Sequence, residues 1–80
     1  MEKILIVDDD KNISELLRIV LDKEGYETVA AFDGEEALSV YSVERPNLVL
    51  LDIMLPKIDG RQVCREIRKL SETPIIMITA

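Results

Sequence analysis

Three observations predict an α/β fold built on a parallel sheet. Unbroken apolar runs, Ile4-Leu5-Ile6-Val7, Leu48-Val49-Leu50-Leu51 and Ile75-Ile76-Met77-Ile78, suit strands covered on both faces. Segments with apolar residues at helical spacing separate the strand candidates, so the order reads βαβαβαβ, which implies parallel strands joined by right-handed crossovers. The runs also finish in polar groups: Asp8, Asp9 and Asp10 after the first, Asp52 after the second, and Thr79 after the last. Ligands of open parallel sheets bind just beyond the carboxyl ends of the strands, so the polar ends are where function is expected.

Taken in order, residues 3–8 form the first strand. Asp10 or Asn12 can cap the helix that follows, and Asn12 with Glu15 has capping-box spacing. Ile13, Leu16, Leu17, Val20 and Leu21 fall on one helical stripe. Gly25 stops that helix where a left-handed conformation is wanted. Residues 26–32 make a weaker strand of mixed polarity, suited to a sheet edge. Asp33-Gly34 turns the chain and caps a second helix over about 35–44, with Ala37, Leu38 and Tyr41 inward. Pro46 ends it, because the residue before a proline avoids helical geometry.

Residues 47–52 form the third strand. The loop that follows, residues 53–60, is apolar enough that part of it should be packed. Asp59 can cap a third helix, with Gln62 placed for a capping box and Val63, Ile67 and Leu70 as its inner stripe. Arg68 and Lys69 suit the negative end of that helix. Thr73-Pro74 breaks it before the fourth strand, residues 75–78.

Composition narrows the function. The 80 residues allow one small domain, 1–80, and carry a net charge of −6, which opposes unaided nucleic-acid binding. No apolar run approaches the roughly 20 residues of a membrane span, and the N-terminal run turns acidic too soon for a signal peptide. The lone Cys64 cannot form an internal disulfide, which fits a reducing, cytoplasmic setting. With no His in the chain, the commonest acid–base and metal-binding side chain is absent.

If the first and third strands are neighbours, their ends lie about 5 Å apart. Carboxylates gathered so closely repel unless protonated or joined by a cation. An oxygen-only ligand set points to a hard ion, and two or three carboxylates with waters suit Mg²⁺. A carboxylate in such a site can attack a phosphoryl group to give an acyl phosphate, with a divalent ion and hydrogen-bond donors meeting the charge of the transition state. Thr79 offers a hydroxyl from an adjacent strand, and Asp10 reads as a helix cap.

Three segments carry a resemblance: residues 4–10, residues 48–60 and residues 73–80, which read ILIVDDD, LVLLDIMLPKIDG and TPIIMITA. Together they resemble the receiver domain of bacterial two-component response regulators, most closely regulators with a winged-helix DNA-binding domain. The resemblance implies a flavodoxin-like (CheY-like) three-layer fold with parallel strand order 2-1-3-4. It implies Asp52 as the acceptor of a phosphoryl group from a sensor histidine kinase. It also implies Asp8, Asp9, Asp52 and the Met54 carbonyl as the Mg²⁺ site, and Thr79 as the hydroxyl that binds the phosphoryl group, with Ala80 leaving it room. Pro56 and Gly60 match the loop that shapes the site. Such a module is not a turnover enzyme; at most it catalyses its own phosphorylation and dephosphorylation.

Against that family the chain reads as incomplete. The fourth helix, the fifth strand with its phosphate-binding Lys, the aromatic switch residue and the fifth helix are not among these residues. DNA would be met only through a further domain. The fourth strand is then an open apolar edge, which invites a second copy to pair there. The alternative reading is accordingly a half-domain that self-associates without phosphorylation. A flavin- or nucleotide-binding reading is disfavoured, because Asp8-Asp9-Asp10 replaces the glycines of a phosphate loop. A haloacid-type phosphatase would want an Asp where Met54 stands.

Overall fold

The apolar runs decide the centre of the molecule. Ile4, Leu5, Ile6 and Val7 are each at most 3% exposed, so the strand they form lies inside the sheet with both faces covered. The computed structural model describes residues 2–78. Its elements are β1 (Lys3–Val7), α1 (Lys11–Lys23), β2 (Glu27–Ala31), α2 (Gly34–Glu44), β3 (Leu48–Asp52), α3 (Gly60–Leu70) and β4 (Ile75–Ile78). All strand pairs are parallel, in the order β2-β1-β3-β4. The alternation and the edge position of the polar second strand are as the sequence predicts.

Helix ends follow local chemistry. Asp10 caps α1, accepting from the N–H groups of Asn12 (2.9 Å) and Ile13 (3.3 Å). Asn12 therefore lies inside the first turn, and the Asn12–Glu15 capping box does not form. Gly25 takes φ 89° just past the end of α1, which an L side chain would resist. Asp33 caps α2 through Glu36 N–H (2.8 Å), and Asp59 caps α3 through Arg61 N–H (2.7 Å). Gln62 meets Asp59 through its own N–H to the Asp59 carbonyl (3.0 Å), in place of a capping-box side chain.

Side chains alternate across the sheet, and the two faces are covered unequally. Leu5, Val7, Val49 and Leu51 meet Ala37 and Tyr41 of α2 and Val63 and Ile67 of α3, all at most 4% exposed. Among the described residues the opposite face has α1 alone. Ser14 is buried there and Leu17 and Leu21 are half-buried, whereas Ile13, Leu16 and Val20 stay exposed at 46–61%. The predicted α1 stripe is thus buried along only one margin, because no second helix among the described residues packs beside it. Leu70, the last residue of α3, is also exposed, so the predicted inner stripe of that helix is buried only at Val63 and Ile67. Tyr41 packs as expected, and its hydroxyl adds hydrogen bonds to Ser71 Oγ and Thr73 Oγ1, tying α2 to the segment entering β4.

Candidate functional site

The site is built by strand register. Val7 pairs with Leu51, so Asp8 and Asp52, the residues at the ends of these runs, emerge side by side. Asp9 follows at the start of the turn into α1. One ligand oxygen from each of Asp8, Asp9 and Asp52 lies within 4.8 Å of the others. The sequence-predicted carboxylates are therefore brought together. They line an open depression of about 340 Å³ with Asp10, Ile13, Met54 and Ile78. Asp10 borders it, yet its carboxylate is engaged as the α1 cap.

Backbone donors aim two of the carboxylates. Asp8 Oδ1 accepts from Asp10 N–H at 2.9 Å, and Asp52 Oδ1 accepts from Met54 N–H at 3.0 Å. Each keeps a second oxygen for another partner. Asp8 is only 6% exposed. Burial pushes its carboxyl above the ordinary value; the Asp10 N–H opposes this, and the charges of Asp52, Asp9 and Asp10 add to the rise. A buried carboxylate among like charges is costly, and a hard cation relieves that cost. The all-oxygen donor set fits Mg²⁺.

Met54 borders the depression, and its side chain is exposed. Leu55 is buried and Ile58 half-buried, so the loop from Ile53 to Asp59 is anchored by its apolar residues, as its composition suggests. Gly60 is required by space. A Cβ there would collide with the Asp52 carbonyl oxygen, and the Gly60 N–H closes the loop on the Ile53 carbonyl at 3.0 Å. Thr79 and Ala80 lie outside the described residues; Ile78, the residue before them, pairs with Asp52.

Sequence reasoning missed three features near the site. The Met54 N–H bond to Asp52 arises from loop conformation, which spacing does not encode. Lys57 adopts φ 65° and its Nζ lies 3.9 Å from Asp33 Oδ2, turned towards α2. The Asp33-Gly34 turn lies against Ile58. An apolar residue in a loop was the available signal for the last of these.

Comparison with known proteins agrees with the geometry. Residues 4–80 match the family model described as the response regulator receiver domain. A relative named "Probable transcriptional regulator ycf27" from Cyanophora paradoxa is 56% identical over 79 residues, and one from Guillardia theta is also 56% identical. Each covers 99% of this chain, while the chain spans only 33% and 31% of their lengths. Among solved structures, the Thermotoga maritima response regulator TrrA in complex with Mg²⁺ and BeF is similar with TM-score 0.94 and 48% identity, covering all of this chain and 70% of its own. A CheY-like receiver domain protein from Methanospirillum hungatei gives TM-score 0.96 at 38% identity, covering 99% of this chain and 64% of its own.

Proposed function

The chain belongs to the response regulator receiver domain family, and from that premise we propose that Asp52 accepts a phosphoryl group from a sensor histidine kinase. The observation that carries this reading is the convergence of Asp8, Asp9 and Asp52 at the carboxyl ends of neighbouring parallel strands. Asp8, Asp9, Asp52 and the Met54 carbonyl would hold Mg²⁺, which when bound neutralises charge on the carboxylates and on the phosphoryl oxygens.

The chain's own groups do the rest. Met54 N–H fixes one Asp52 oxygen, and the other is the nucleophile. Its lone pair forms the new P–O bond as the P–N bond to the donor histidine breaks. The bonding pair leaves with the imidazole nitrogen, which takes a proton, and an acyl phosphate remains on Asp52. Thr79, which follows Ile78 in sequence, supplies a hydroxyl to the phosphoryl oxygens. The exposed surface of α1 is the kinase contact. The relatives are named as transcriptional regulators, which supports transcription control by the whole protein, with DNA bound through another domain in the cytoplasm. No helix among the described residues is long and apolar enough to cross a membrane.

Intact mass after incubation with Mg²⁺ and a small phosphodonor, run beside Asp52→Asn, tests the reading. One added phosphoryl group on the parent and none on the variant supports it. Equal gains, or no gain on the intact parent protein, refute it.

A second reading applies to residues 1–80 taken alone, and the uncovered sheet face supports it. Ile76 in edge strand β4 is 53% exposed. Beside it an apolar depression of about 450 Å³ runs along Ile4, Leu21, Tyr26, Leu48 and Leu50. An open apolar edge of this kind favours pairing with a second copy. Association that persists unchanged in Asp52→Asn would separate this behaviour from phosphoryl transfer.

A further inference from the structure

Outside the carboxylate cluster, one of the closest approaches in the chain lies where α2 begins. Gly34 is buried, and a Cβ added to it would stand 2.7 Å from the Ile58 carbonyl oxygen and 2.8 Å from the Ile58 Cβ. Its φ is not in the left-handed region, so the glycine is there for room and not for conformation. A neighbouring contact runs between the same two segments: Lys57 Nζ lies 3.9 Å from Asp33 Oδ2, with Lys57 itself at φ 65°, a conformation L side chains rarely adopt. The loop between β3 and α3 is thus held at two points near its α3 end. Gly60 seats it against the Asp52 carbonyl, and the Asp33-Gly34 turn stops it at Ile58.

Met54 lies in the same loop, and its N–H holds the Asp52 carboxylate at 3.0 Å. The Gly60 N–H bond to the Ile53 carbonyl (3.0 Å) closes the loop on itself, so a displacement at Ile58 is passed through Gly60 to Ile53, the residue before Met54. We infer that the Asp33-Gly34 turn is a positioning element for the acceptor loop: by its close fit to Ile58 it sets where the Met54 backbone meets Asp52 and the cation. This rests on the phosphoacceptor reading and adds to it α2, an element that contributes no ligand. The turn acts only through the loop and touches neither the carboxylates nor the ion.

Gly34→Ala in the intact protein tests the inference. The added methyl meets the Ile58 backbone and stands 3.0 Å from Val63 Cγ2, so the turn and the loop must move apart. Mg²⁺ affinity, measured by titration calorimetry, is expected to fall about tenfold, the scale seen when groups orienting metal ligands are changed. In metal-free protein, the Met54 and Asp52 amide resonances shift. With a small phosphodonor, the Mg²⁺ concentration for half-maximal phosphoryl uptake rises by the same factor, while the rate at saturating Mg²⁺ stays within about twofold. A purely structural role would lower the melting temperature and leave the half-saturating Mg²⁺ concentration where it was, which would overturn the inference.

Ile58→Ala guards against a Gly34→Ala protein that fails to fold. It introduces slack instead of a clash, and it is expected to weaken Mg²⁺ binding severalfold; parent-like affinity overturns the inference. A parent that binds Mg²⁺ and accepts phosphoryl, with variants that bind equally well, removes the positioning role alone. A parent that does neither removes the phosphoacceptor reading itself, and the positioning role with it.

Discussion

The two faces of the sheet come from the same strands and reach different states. On the face under α2 and α3, Val49 and Leu51 are fully buried. On the other face, Leu50, between them in the same strand, is only half-buried, and Ile76 beside it in β4 is exposed. Strand hydrophobicity does not account for this, because β3 and β4 carry apolar residues on both faces. The number of helices on each face does. Two helices close the first face, whereas α1 packs mainly on β1 and β2 on the second and leaves its own Ile13, Leu16 and Val20 uncovered. Burial is a property of what the chain brings against a residue; the residue's own character only sets what burial is worth.

The largest expected effect sharpens this comparison. Ile67→Ala, on the closed face, removes a fully buried side chain and is expected to cost about 2–5 kcal/mol in denaturant unfolding. Leu16→Ala, equally apolar but 61% exposed, should stay within about 0.5 kcal/mol. Equal losses would break the distinction between the faces.

Ile76→Lys acts on the open face. A charge on the exposed edge strand opposes pairing with a second copy. For residues 1–80 alone, sedimentation should show the dissociation constant rising about tenfold, equivalent to about 1.4 kcal/mol. No change would place any association elsewhere.

The smallest effect has the opposite sign and lies where β1 leaves the sheet. Burial raises the Asp8 carboxyl pKa, so the folded state holds that proton more tightly than the unfolded chain does. The resulting stabilisation is complete below the ordinary value of 3.8 and is lost as pH rises through the raised folded value. At neutral pH the ionised carboxylate is therefore a burden. Asp8→Asn, assayed without divalent ions, is expected to unfold at higher urea than the parent at pH 7, with the advantage fading as the pH falls towards 3.8. A variant less stable at pH 7 would show that the Asp10 N–H bond outweighs desolvation.

Much of the fold was legible in the sequence, for physical reasons. Strands covered on both faces leave unbroken apolar runs, and helix caps leave Asp10, Asp33 and Asp59 at the right offsets. The carboxylates of the site were legible because they end two such runs. The exposed Ile13, Leu16, Val20 and Leu70 were not, because periodicity reports that a face is apolar and not whether anything meets it. The hydroxyl cluster of Tyr41, Ser71 and Thr73 joins residues about thirty positions apart, a separation no local pattern marks.

By itself the sequence determined the elements, their order and the chemical character of the strand ends, since each depends on neighbours along the chain. Only the tertiary structure decided which carboxylates share a site, which oxygen of Asp52 is tied to Met54, and that Gly34 sits against Ile58. Those follow from strand register and from the packing of one loop on another, and the distances involved are set through space, between residues the sequence holds apart.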